Sequence, residues 1–185
     1  MAKLNYIRFN VPFYGGVSEQ FKDVFRQFNN DKSEAILVEI NSPGGSIFEL
    51  IPVLDVIQQE KKKPIIGVCS GMSASCGAAL LMATDYRVIG QNSYIMLHQG
   101  GTWAQGKMSE IEADFKLISE MTNNFVYDLS DKAAKKPPGY TKSLIKENFN
   151  ADLWINAEQA LKHGYADDIG TVGSINIKEI IKKLG

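Results

Sequence analysis

Two serines stand two residues apart in the run GMSASCGAALLMAT at positions 71–84, between glycines and just ahead of a helix-like stretch. A hydroxyl at a strand-to-helix turn can act as a nucleophile, because the helix behind it offers unpaired N–H groups to a developing oxyanion. Ser75 lies nearer the expected helix start, so the N–H of Cys76 can serve as such a donor, whereas Ser73 is better placed to cap the helix. The spacing leans towards Ser75 and leaves the choice open, since neither serine completes a Gly-x-Ser-x-Gly elbow. Cys76 is itself a candidate nucleophile, although a small buried residue beside the site is the commoner role for it.

A serine nucleophile needs a base, and the chain has two histidines, His98 and His163. His98 ends the apolar run YIMLHQ, at the C-terminal end of an expected strand, where a base role and a hydrogen-bonded core role are both open. His163 falls in the last turn of an expected helix, where the dipole and solvent ordinarily satisfy it.

A second glycine-bearing turn, NSPGGS at 41–46, also follows an apolar strand and precedes a helix. In an α/β sheet such turns gather at the carboxyl edge of the strands, where ligands bind. The N–H of Gly45 and that of Cys76 can then converge on one oxyanion, the largest electrostatic aid to acyl transfer. Phosphate cradling is the competing use, but neither turn has the Gly-x-x-x-x-Gly-Lys or Gly-x-Gly-x-x-Gly spacing. The stretch GGTWAQG at 100–106 is too glycine-rich for a core strand, and such stretches often mark the close approach of another backbone. Gly100, Gly101 and Thr102 are therefore candidates for substrate contact.

The elements that must carry these residues alternate. YIRFNV (6–11), AILVEIN (35–41), IIGVCSG (65–71), YRVIG (86–90) and SYIMLHQ (93–99) read as strands. Between the first three lie helical patterns: one over 18–28 with Phe21, Val24, Phe25 and Phe28 on one face and Ser18 as N-cap, the other opened by Ser46 and Glu49 as a capping box. That second helix carries Ile47, Leu50, Ile51, Leu54 and Ile57 on its face and closes at KKKP. AALLMA (78–83) reads as a short buried helix. This βαβα order is the mark of an α/β layer with largely parallel strands.

From Lys107 to about Lys132, Ile111, Phe115, Ile118, Met121, Phe125 and Leu129 recur at helical spacing over about seven turns at 3.6 residues each. Periodicity alone leaves open whether this helix packs within its own chain or projects towards another subunit. AAKKPPGY (133–140) reads as a loop, followed by a short helix (141–147), the strand DLWI (152–155), a helix opened by Asn156 with Gln159 and closed by Gly164, and a last helix over 176–184.

The bulk numbers exclude more than they select. A chain of 185 residues suits a single domain over 1–185, and a net charge of −1 argues for neither nucleic acid nor a cationic partner. Cys69 and Cys76 have no metal or disulfide pattern around them, which fits a reducing cytosol and calls for no metal. No run approaches the ~20 apolar residues a membrane span needs, and the N-terminus lacks a continuous apolar signal segment.

Taken together, these motifs resemble the Clp protease proteolytic subunit family, ClpP-like compartmental serine peptidases. INSPGGS (40–46) is similar to that family's INSPGG turn, GMSASCGAALLMA (71–83) to its nucleophile segment, and MLHQG (96–100) to its histidine segment. GGTWAQGKMSEIEAD is similar to its glycine-rich strand and the start of its long handle helix, placing the handle region at about 101–150. The resemblance spans roughly positions 5 to 170. It implies a spiral of βαβ units shared with crotonases and a projecting handle helix. It also implies Ser75 as nucleophile, His98 as general base, and the N–H groups of Gly45 and Cys76 as the oxyanion hole. The third triad member it implies is Asp152, in DLWINAEQA, which the residues alone would not have singled out.

By the same resemblance no cofactor is required, the substrates are peptides or unfolded polypeptides, and the partners are copies of the chain in a ring, with ring stacking and a bacterial or phage-infected cytoplasm as its setting. An AAA+ unfoldase is implied less strongly, since the family segment that contributes to docking precedes the strand at which this sequence almost begins. The interval between Ser75 and His98 is shorter than in the family and reads as in its more distant, including phage-encoded, members, while AAKKPPGY lengthens the handle region. Three rivals stand beside this reading: a crotonase-type acyl-CoA enzyme using the paired N–H groups for an enolate, a non-catalytic ring subunit, and a Ser/Lys dyad peptidase that would not need His98.

Overall fold

The computed structural model describes residues 3–101, 105–148 and 150–185. In chain order the first half runs β1 (Leu4–Phe9), α1 (Val17–Asn29), β2 (Ala35–Ser42), α2 (Ile47–Glu60), β3 (Ile65–Ala74), α3 (Cys76–Met82), β4 (Tyr86–Ile89) and β5 (Tyr94–Leu97). The second half runs α4 (Met108–Thr122), a π-helical stretch Asn123–Asp128, α5 (Leu129–Ala133), α6 (Tyr140–Glu147), β6 (Leu153–Asn156), α7 (Ala157–His163), β7 (Asp168–Ile169) and α8 (Ile177–Leu184).

Five strands lie side by side in the order β1-β2-β3-β4-β7, and every neighbouring pair is parallel. The period-2 pleat explains how so apolar a sheet is covered on both sides. In β2, Ile36, Val38 and Ile40 face the core with Phe21 and Phe25 of α1, Leu50 and Leu54 of α2 and Leu80 of α3. Ala35 and Leu37 face the other way, where Ile180 of α8 packs with Ile66, Val68 and Val88. Each such fully buried aliphatic side chain contributes about 1.5–3 kcal/mol. No helix among the described residues is long and apolar enough to cross a membrane.

β3 is longer than expected, running to Ala74 instead of ending near Gly71, and it serves two directions. Its first half pairs β2 and β4; beyond an irregularity between Ile40 and Ser42 on the neighbouring strand, Met72–Ala74 pair with β5, which in turn pairs antiparallel with β6. The long strand thereby delivers its C-terminal end to a small second layer of strands.

Two expected caps are corrected. α1 begins at Gly16, whose φ of 81° suits glycine, and Ser18 lies inside the first turn. Ser46 does occupy the N-cap of α2, but neither half of the box forms: its hydroxyl makes no cap bond, and the Glu49 carboxylate accepts instead from the N–H groups of Gly16 and Ser18, each at 2.9 Å. One helix's acidic residue thus satisfies the orphan donors of another, a geometry no local pattern encodes. The box at α7 forms as expected, with Asn156 and Gln159 bonded reciprocally at 2.9 and 3.0 Å and Gly164 closing the helix at φ 84°.

The helical pattern expected from Lys107 to Lys132 is present as three joined pieces, the middle one π-helical. Along α4 the apolar residues Met108, Phe115 and Leu117 are exposed, whereas Val126 and Tyr127 of the π-helical stretch are buried against the core.

Candidate active site

β3 stops at Ala74 because Ser75 turns the chain sharply. Its backbone sits at φ 54° and ψ −117°, a sparsely populated region for a residue with a Cβ, which costs of the order of 1–3 kcal/mol. Its N–H donates to the carbonyl of Met96 on β5 at 2.9 Å, and its carbonyl accepts the first bond of α3, from Ala79 at 3.1 Å. The buried helix α3 anchors the turn from behind. Held in this way, the half-buried Ser75 hydroxyl lies 2.8 Å from Nε2 of His98. Ser73, the other serine of the run, is fully buried within β3 opposite Ser42 and Ile95, so it neither caps α3 nor lines the cleft.

His98 follows immediately after β5, and Asp152 immediately precedes β6. The antiparallel register pairs Leu97 with Leu153, Met96 with Trp154 and Ile95 with Ile155. Continued by one residue, it sets His98 opposite Asp152, where side chains meet. Nδ1 of His98 is 3.4 Å from Oδ1 of Asp152, an ion-pair separation longer than a normal hydrogen bond. The Asp152 side chain is 56% exposed against 30% for His98, so solvent competes for this contact. Asp152 is further tied by its carbonyl, which accepts from the Asn148 side chain at 3.1 Å.

The glycine turn packs directly on the serine segment. A Cβ on Gly44, at φ +90°, would lie 2.7 Å from both the Ala74 carbonyl oxygen and the Ser75 Cβ; one on Gly45 would meet the Phe13 backbone at 2.7 Å. Only glycine at both positions allows this approach. The Gly44 carbonyl accepts from the Phe13 N–H at 2.9 Å. In a trans peptide the N–H points opposite to the carbonyl, so the Gly45 N–H is directed away from Phe13. Neither this N–H nor that of Cys76 donates to a backbone carbonyl among the described residues.

Gly45, Ser75, Cys76 and His98 line one cleft of about 490 Å³, with Tyr14, Ile47 and Phe48 on one side and Ile118, Thr122 and Val126 on the other. Gly100 and Gly101 also line it; Gly100 lies so close to Thr122 that a side chain there would collide. Thr102 lies outside the described residues. Among the described residues that line the cleft there is no lysine to act as partner in a Ser/Lys dyad. Burial pushes the Cys76 thiol up to about 11, leaving it protonated and weakly nucleophilic at neutral pH, and its sulfur contacts the Gly45 carbonyl at 3.2 Å.

His163 is remote from this cleft and differs from expectation in its surroundings. Its Nδ1 bonds the Tyr140 hydroxyl at 2.7 Å, and burial, aided by the charges of Lys162 and Lys136, holds it below its usual range. Residue types alone do not single out Asp152 or Phe13, whose places beside His98 and the glycine turn follow from strand register and backbone contact.

Comparison with known proteins bears on the same segments. A family model described as Clp protease matches residues 15–173. The chain is 37% identical over 144 residues to the "ATP-dependent Clp protease proteolytic subunit 2" of Tropheryma whipplei (strain Twist), covering 77% of each chain. It is 34% identical over 145 residues to the "ATP-dependent Clp protease proteolytic subunit 3" of Synechococcus sp. (strain CC9902), covering 76% of this chain and 69% of that one. The family match takes in the serine turn, the histidine strand and the glycine turn together, and the chain accordingly belongs to the Clp protease family and is a serine-type peptidase.

Proposed function

We propose that the chain cleaves peptide bonds through a Ser75–His98–Asp152 triad with the N–H groups of Gly45 and Cys76 as its oxyanion hole. The observation that carries this reading is the 2.8 Å contact between the Ser75 hydroxyl and His98 Nε2, in a cleft also lined by Gly45 and Cys76, whose N–H groups donate to no backbone carbonyl among the described residues.

With the imidazole proton on Nδ1, facing Asp152, Nε2 accepts the Ser75 proton as Oγ attacks the carbonyl carbon of the substrate. The carbonyl oxygen becomes an oxyanion, stabilised by the Gly45 and Cys76 N–H groups and by the N-terminus of α3. His98 then gives its proton to the departing amine, the C–N bond breaks, and an acyl-serine remains. Water, deprotonated by His98, attacks that ester and restores Ser75. Asp152 holds the tautomer and stabilises the imidazolium. Its 3.4 Å separation suits a contact that tightens when substrate excludes water.

Gly100 and Gly101 present bare backbone along the cleft, where an extended substrate strand can lie against them. Such a strand must be free of its own fold, so peptides and unfolded polypeptides are the substrates. The whole chain acts as one peptidase domain. The apolar side chains exposed along α4 suit burial between subunits, and the relatives are named as proteolytic subunits; both support a ring in which α4 serves as the handle and the clefts face an enclosed chamber. The relatives' designation as ATP-dependent favours an AAA+ unfoldase as feeder even though the sequence resemblance implies that partner less strongly, and their bacterial sources favour a bacterial cytoplasm.

Hydrolysis of a fluorogenic peptide tests the catalytic assignment. Ser75→Ala and His98→Ala should each lower kcat by about 10⁴-fold or more at unchanged assembly by sedimentation. A His98→Ala enzyme with the wild-type rate would overturn it.

A further inference from the structure

The glycine turn is gripped from two sides, and only one of the grips is backbone. On one side Phe13 donates its N–H to the Gly44 carbonyl at 2.9 Å and accepts from the Ser46 N–H at 2.9 Å. On the other, the Ser42 hydroxyl donates to the Val11 carbonyl at 2.7 Å and accepts from the Gly44 N–H at 3.2 Å. Ser42 is fully buried, so water cannot take over either bond. Gly77 of α3 packs against it, since a Cβ there would come within 3.0 Å of the Ser42 carbonyl and 3.2 Å of its Cβ.

Ser42 sits where the ladder between β2 and β3 becomes irregular, and it is the last residue of β2 before the turn. Without its hydroxyl, the β1–α1 connection and the 43–46 turn would be joined only through the Phe13 contacts described above. The Pro43–Gly44 peptide, which carries the Gly44 N–H, would gain freedom to rotate, and the glycine that follows it, whose own peptide to Gly45 is tied only at its carbonyl by Phe13, would turn the Gly45 N–H with it.

We propose that Ser42 is a positioning residue for hydrolysis: by bridging the Val11 carbonyl and the Gly44 N–H, its hydroxyl fixes the Pro43–Gly44 peptide, and with the Phe13 N–H on the Gly44 carbonyl it sets the turn so that the Gly45 N–H faces the oxyanion formed at Ser75. This inference rests on the oxyanion-hole assignment made above. Ser42 touches no substrate atom in this scheme. Its effect belongs in the transition state, where the oxyanion exists, and not in ground-state binding.

The test compares wild type, Ser42→Ala and Ser75→Ala on a fluorogenic peptide, with affinity for a peptide boronate whose tetrahedral adduct places an oxygen in the hole. Ser42→Thr, which keeps the hydroxyl, serves as the rescue variant, and rates are taken per assembled, folded site from sedimentation and thermal melts. The expected result for Ser42→Ala is a kcat lowered about 10-fold or more with KM within about twofold, and boronate affinity lowered by a similar factor. Ser42→Thr, where it folds, should recover both. Overturning results are an unchanged kcat per folded site, a loss that appears in KM, or a loss of kcat with boronate affinity intact. Wild-type hydrolysis that survives Ser75→Ala would overturn the catalytic assignment itself, and this inference with it.

Discussion

Ser75 and Asp152 flank the same imidazole but are held there by different means. The serine flank is built into the core: β3 runs unbroken into the turn, α3 is buried along its length, and Gly44 and Gly45 lie in contact too close for any side chain. The carboxylate flank hangs on a two-strand ladder, and its side chain is more than half exposed. Strain at Ser75 is therefore sustained by packing, whereas Asp152 is placed by strand register and one hydrogen bond from the Asn148 side chain to its carbonyl. Mutations on the first flank should cost both stability and rate, and those on the second should cost rate with little stability.

The sharpest contrast comes from the glycine turn. Gly44→Ala should place a methyl group 2.7 Å from the Ala74 carbonyl at a φ that disfavours it. The expected loss is about 10²–10³-fold in kcat together with about 1–3 kcal/mol of stability, read by peptide hydrolysis and denaturant unfolding. A stable Gly44→Ala with full activity would remove the packing account of the serine flank.

Asp152→Asn should behave differently. Because the side chain is 56% exposed and 3.4 Å from the ring, water replaces part of what it does. A loss of about 10- to 100-fold in kcat is expected, smaller than for a buried triad acid, with stability within about 0.5 kcal/mol of wild type. An unfolded or strongly destabilised variant would show that Asp152 belongs to the core after all.

The smallest effect concerns the scaffold behind the turn. Hydrogen bonds from Ser18 and Gly16 hold the Glu49 carboxyl below its ordinary value of 4.5. A depressed folded value means that the bonded carboxylate adds stability above about pH 4.5, and that this contribution disappears as pH falls through the folded value. Glu49→Gln should melt lower than wild type at pH 7, and the gap should close as the pH is taken below 4.5. A gap independent of pH would contradict this role.

The same contrast governs how much was legible in the sequence. Elements whose reasons are local read well: the α7 box from Asn156 to Gln159, the serine turn ahead of AALLMA, and the Leu50, Leu54 and Ile57 part of the α2 face, where Val53 and Val56 are buried and the expected Ile47 and Ile51 only half so. Ser46 and Glu49 carry the same local pattern as the α7 box and yet the carboxylate bonds Gly16 and Ser18, because a neighbouring helix start lay closer to it than its own cap. Asp152 was invisible to pattern, being one of 21 acidic residues, and became adjacent to His98 only through pairing between β5 and β6. The sequence signal for Asp152 is the likeness of DLWINAEQA to the family's segment; in the structure His98 and Asp152 each stand just outside a short strand, at the end where β5 and β6 bring them together.

The most direct measurement of the central claim is to treat the assembled protein with a fluorophosphonate and map the adduct by mass spectrometry, with Ser75→Ala and His98→Ala in parallel. A single phosphonylated residue at Ser75, formed in wild type and lost in both variants, is the outcome this account predicts. Modification at another residue, or undiminished labelling of Ser75 when His98 is replaced, would contradict it.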